Sequence, residues 1–214
     1  MKTFVSLVYL TVCIIVLSLP CATMAQGQGA PKLNAPKGDV AFEIIGQVQN
    51  VAGTPLSNQY GYLSAIDGIG NIFNSTTHNE TTSLFTFFTE AQTDTVINNG
   101  KLRIVNRTGT TTVYLDELPN GNFADPNTFR DGAPVLTMSL KQQVILDLVE
   151  NTFTTVNINT VISASAFQVG SDAFQLGNAR DQFRTSINGR ANDTGTPAQF
   201  VIAGFVVPIE DARP

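Results

Sequence analysis

Between Pro134 and Gly170 the chain reads PVLTMSLKQQVILDLVENTFTTVNINTVISASAFQVG, and apolar residues return at every second position. Leu136, Met138 and Leu140 alternate with Val135, Thr137 and Ser139, and Val144, Leu146 and Leu148 alternate with Gln143, Ile145 and Asp147. Further on, Val156, Ile158, Ile162, Ala164 and Ala166 alternate with Asn157, Asn159, Val161 and Ser163. A helix repeats every 3.6 residues and cannot hold such a series on one face, whereas a pleated strand points successive side chains to opposite faces. The stretch is predicted to form about three consecutive strands central to an antiparallel sheet, with Val156, Ile158, Ile162, Ala164 and Ala166 on the buried face.

The rest of the chain repeats the theme. Val40–Val48 places Val40, Phe42, Ile44 and Val48 on one face, and Tyr60–Ile66 reads as a shorter strand. Asp67–Thr81 (DGIGNIFNSTTHNET) has the composition of an exposed loop. Thr82–Ala91 carries Leu84, Phe85, Phe87 and Phe88, a strand buried on both sides or lining a cavity. Asn98-Asn99-Gly100 predicts a hairpin joining Asp94–Ile97 to Lys101–Val105, because Asn and Gly tolerate the positive φ of tight turns. Thr108-Gly109 and Asn188-Gly189 read as further turns, and Gly177–Arg184 as a helical turn or bend. Gln199–Val207 is a nearly continuous apolar strand that Pro208 should stop, with Gly204 marking a bulge or a sharp coil. The fold class is therefore all-β: a single antiparallel β-barrel of about ten strands over residues 39–208, with a β-sandwich as the alternative. Residues 209–214 are expected to be a disordered tail.

The N-terminus begins with Lys2, continues with an uncharged apolar run from Thr3 to Leu19, breaks at Pro20 and offers Thr23-Met24-Ala25 for cleavage after Ala25. That is the layout of a secretory signal peptide over residues 1–25, so the expected location is secreted, extracellular or periplasmic, with no stable membrane span after cleavage. Residues 26–38, rich in Gly, Pro, Gln and Ala, should be a flexible leader. The two cysteines, Cys13 and Cys21, both lie inside the signal. A processed chain would hold no disulfide, no thiolate metal site and no cysteine nucleophile. A net charge of −5 with only 14% charged residues supplies no cationic surface, so nucleic acid is not an expected partner.

Few residues suggest chemistry. His78 is the one histidine and sits in a polar loop, so a Ser–His triad and the common zinc sites have no basis. Glu90 and Asp147 lie within predicted strands, and a pair of carboxylates inside a lumen would act as acid and base, as in glycoside hydrolysis, with Arg103 as counter-charge. Asn120, Asn122, Asp125, Asn127 and Asp131 make an oxygen-rich loop of the kind calcium uses, although the spacing is not an EF-hand and long turns use the same residues. The phenylalanines spread over many strands, as ordinary core or as the wall of an apolar pocket. No cofactor is implied. The expected function is a secreted non-enzymatic module that binds a protein partner or a small apolar ligand, or serves a structural role outside the cell. The alternative is a lumen-based enzyme for a small apolar or sugar substrate.

Overall fold

The computed structural model describes residues 35–191 and 199–210. The expected signal segment with both cysteines, most of the expected leader, residues 192–198 and residues 211–214 lie outside the described residues. The strands are β1 (Phe42–Asn50), β2 (Leu56–Ile66), β3 (Phe85–Asn99), β4 (Leu102–Leu115), β5 (Ala133–Asp147), β6 (Thr152–Ala164), β7 (Phe167–Val169), β8 (Asp172–Phe174), β9 (Gln182–Ala191) and β10 (Gln199–Glu210). Eight of them close into an antiparallel barrel in the order β1-β10-β9-β6-β5-β4-β3-β2, and β7 and β8 form a separate ribbon. Closure excludes the sandwich and leaves none of the eight barrel strands with an unpaired edge.

The connections make the two ends unlike. At one end, residues 51–55, 100–101 and 148–151 are short turns. At the other, the longer connections β2–β3 and β6–β9 bring Ile69, Ile72, Phe73, Phe167 and Leu176 into the main core, all at most 7% exposed. Phe167 meets Phe85 edge to face at a centroid distance of 5.4 Å. This end is plugged, and among the described residues the end with short turns is not.

The β4–β5 connection runs across the outside of the barrel, with a single 3-10 turn at Pro126–Phe129. There Phe129, fully buried, packs with Tyr60 and Phe88, at 5.4 Å between the Tyr60 and Phe129 rings. This explains the doubly apolar stretch in β3: Phe85 and Phe87 belong to the main core, while Phe88 faces outward beneath the loop.

Several expectations fail for physical reasons. Thr108-Gly109 and Asn188-Gly189 are not turns, because β4 and β9 run straight through them in regular register. A Cβ at Gly189 would collide with the Phe153 ring, so glycine here makes room for a side chain and does not reverse the chain. At Gly204 the pairing is regular on both sides; the irregularity falls at Pro208/Glu210, and β10 continues through Pro208 to Glu210, two residues into the expected tail. The Gly38 amide donates to the Pro208 carbonyl at 3.1 Å, which ties the end of the leader to β10. Of the two alternatives for Gly177–Arg184 the bend holds, with φ of 117° at Gly177 and 76° at Arg180, but only as far as Asp181, since β9 begins at Gln182.

The largest correction concerns β6. Phe153, Thr155, Asn157, Asn159 and Val161 are the buried residues, at 2–7% exposure, while Ile162 is 56% exposed. The polar series faces the lumen and Val156, Ile158 and Ile162 face out. Period two located the strand but gave the wrong face, because this lumen is lined with amides.

Gly46 and Gly61 stand opposite each other in the β1–β2 register. A Cβ on Gly61 would run into the Ile45 carbonyl and the Gly46 Cα, and one on Gly46 would press the Phe87 ring at 3.0 Å. Gly61→Ala is expected to lower unfolding stability by about 2 kcal/mol or more through this overpacking, read from the midpoint of urea denaturation.

Candidate ligand-binding lumen

An eight-stranded barrel has an interior that side chains either fill or leave open for one small ligand. Here both occur. The plugged half is packed around Phe42, Phe85, Leu63 and Leu136, each at most 2% exposed. Toward the end with short turns lies a cavity of 150 Å³. Its apolar walls are Val48 from β1, Val105 from β4, Val144 and Leu146 from β5, Phe153 from β6, Ile187 from β9 and Ile202 from β10. A second cavity of 30 Å³ lies deeper, and Gln59 and Ile187 line both.

The floor of the larger cavity is a network of amides and one guanidinium. Gln59 and Gln142, 83 residues apart, exchange reciprocal amide bonds of 3.0 and 3.1 Å. Gln142 Nε2 also donates to Asn157 Oδ1 at 3.1 Å, and its Oε1 also accepts from Arg107 Nη1 at 3.2 Å. A glutamine amide has two donors and two acceptor lone pairs, so Gln142 is saturated. Arg107 reaches further, donating from Nη2 to Asn50 Oδ1 at 3.0 Å and from Nε to Thr93 Oγ1 at 3.3 Å. Below this layer Asn159 Nδ2 donates to Thr185 Oγ1 at 2.8 Å, while the buried Asn159 Oδ1 has no hydrogen-bond partner among the described residues.

Strand parity produces the arrangement. Arg103, Val105 and Arg107 share the inner face of β4, and Arg107 pairs in register with Gln142, which pairs with Asn157. Every acceptor that Arg107 meets is neutral, and no carboxylate lies within ion-pair distance of it among the described residues. Burial pushes its pKa down to about 10, which still leaves it a cation at neutral pH. Arg103 sits higher on the same face and donates from Nε to Asn98 Oδ1 at 3.1 Å at the exposed rim.

Of the residues singled out in the sequence, Arg103 and, among the phenylalanines, Phe153 line this cavity, and the charged and amide candidates otherwise fall elsewhere. Glu90 is on the outer face, 71% exposed, in a 3.4 Å ion pair with Arg130. Such an exposed pair is worth little. Asp147 points away from the lumen at the end of β5, where Oδ1 accepts the amides of Val149 at 2.8 Å and Glu150 at 3.2 Å. Those two amides, aided by Lys101, hold its carboxyl below the usual carboxylate range. It organises the β5–β6 turn. The two carboxylates do not meet in a common site, and neither cavity has an Asp or Glu among its lining residues.

In the oxygen-rich loop, Asp131 Oδ2 accepts from Asn120 at 2.9 Å and Asn122 Oδ1 accepts the Ala124 amide at 3.0 Å. Asp125 Oδ1 accepts twice from Asn127, whose own Oδ1 takes both Nε and Nη2 of Arg130. These oxygens close the loop and anchor Arg130, which lies 4.6 Å above the Phe88 ring. No cluster of metal-ligating side chains occurs among the described residues. His78 stacks on Phe73 at 4.3 Å.

Sequence reasoning missed Arg107, Gln142, Gln59, Asn157 and Asn50. The available signal was parity: Asn157 alternates with Val156 and Ile158, Gln142 falls on the same strand face as Leu140 and Val144, and Arg107 precedes the Thr108-Gly109 pair mistaken for a turn. Comparison with known families, curated proteins and solved structures yields no match.

Gln142→Leu keeps the approximate volume but strips partners from Gln59, Asn157 and Arg107 together. It is expected to cost about 3 kcal/mol, since each buried group left unsatisfied costs about 1–3 kcal/mol, and the loss is measurable by urea denaturation.

Proposed function

We propose that the protein is an exported, non-enzymatic β-barrel that holds a small, mainly apolar ligand in the open half of its lumen. The observation that supports this reading is the 150 Å³ cavity, walled by aliphatic side chains and floored by polar groups. Binding sites for small molecules are concave and mostly apolar, with a few convergent polar groups that fix orientation. A cavity of this size suits a single ring or a short branched chain. Export is proposed from the N-terminal sequence, with its Lys2 start, apolar run and cleavage site after Ala25. The lumen-enzyme reading loses its acid–base pair, because Glu90 and Asp147 lie on the outside of the sheet.

The experiment is thermal unfolding with toluene. At ten times its dissociation constant a ligand stabilises by about 1.4 kcal/mol, which for a protein of this size raises Tm by about 3 °C. Val144→Phe, which fills the cavity, should abolish the rise. His78→Ala and Asp147→Asn should leave it unchanged. An unshifted Tm at saturating toluene, together with no line broadening of toluene by NMR, overturns the proposal.

A further inference from the structure

The polar floor has an unbalanced charge. A guanidinium has five N–H donors. Arg107 uses Nε, one hydrogen of Nη1 and one of Nη2 on Thr93, Gln142 and Asn50. One N–H on each terminal nitrogen is left over, and the group lines the cavity. The neighbours among the described residues cannot absorb them, because Gln142 is saturated and the charge faces neutral amides and a hydroxyl there. A partly buried cation without a counter-charge carries a desolvation cost, which is offset when an anion arrives.

Resting on the reading of this cavity as a ligand site, we infer that the ligand is a small carboxylic acid, with its carboxylate on Arg107 and its apolar body against Val105, Val144, Leu146 and Ile187. Chemistry selects the carboxylate from among the anions. One positive charge is matched by one negative charge, and two N–H groups by two oxygens in the fork geometry that guanidinium and carboxylate share. A phosphate or sulfate would bring further oxygens against aliphatic walls, where each would lose water without gaining a partner. Size selects the body. The 150 Å³ available admits a ring or a short branched chain and not a long one. Arg103 at the rim adds a second positive charge on the path inward and draws anions toward the mouth.

The test uses benzoate and its neutral isostere benzamide, titrated into the protein at pH 7 by calorimetry and by ligand-observed NMR. Benzoate is expected to bind at least tenfold more tightly than benzamide. Arg107→Met should bring benzoate down to the benzamide level while leaving benzamide unchanged. Gln142→Glu places a carboxylate of the protein's own beside Arg107 and should also remove benzoate binding, and Arg107→Lys should retain part of it. The wild-type comparison needs no variant to fold. Equal affinities in the wild type, or full benzoate affinity in Arg107→Met, would overturn the inference. If toluene and benzamide bind and benzoate does not, the cavity remains a ligand site and the anion assignment alone is lost. If none of the three binds, both readings fall.

Discussion

The β1–β10 pairing holds the rest of the molecule in place. It runs in unbroken register from Phe42↔Val206 to Gln49↔Gln199 and joins the first barrel strand to the last. Without it the sheet would be an open ribbon with two free edges, and the inner face would be one side of a surface exposed to water. With it, that face becomes an enclosed volume whose width is set by eight strands. Glycines opposite one another in β1 and β2 allow the curvature, and the Phe87 ring occupies the space a Cβ would have filled. Closure explains why amides can line an interior at all: in a narrow lumen they face each other across a few ångströms and satisfy one another.

The two halves of the lumen follow different rules. The plugged half is a conventional core, where aromatic and aliphatic groups from the long connections seal the end. The open half combines aliphatic walls with a polar floor, and there the hydrogen-bonded layer fixes side-chain positions. Gln142 is central because it meets partners from β2, β4 and β6. Networks of this kind favour one arrangement strongly when every member is satisfied and are expensive when one is missing. On the outer surface Glu90, Arg130 and Asp147 organise loops and turns.

The architecture was legible in the sequence because strand periodicity and the Asn-Asn-Gly turn are local signals. β5 and β6, together with the β3–β4 hairpin, follow directly from them. The site was not legible, for three physical reasons. Which face of a strand points inward depends on closure, and in β6 the apolar residues Val156, Ile158 and Ile162 lie outside while Asn157 and Asn159 lie within. Glycine is ambiguous by itself: Gly100 has a positive φ of 60° and makes a turn, whereas Gly109 and Gly189 relieve crowding in the middle of strands. Finally, a guanidinium bound to amides leaves no charge pattern in the sequence, since its partners are uncharged and distant along the chain. Of the charged and amide candidates, Arg103 alone lines the lumen, at its rim.

The Gln59–Gln142 amide pair spans 83 residues, and Asn50 meets Arg107 across 57. No short fragment of the polypeptide contains the floor of the cavity, which runs from Asn50 to Asn157, and a nascent chain lacks it until β6 has emerged. Occupancy of the lumen by a ligand would thus report that the strands lining it are in place. A bound molecule would act as a clasp fastened only at the end, and partly assembled forms would be recognisable by their emptiness.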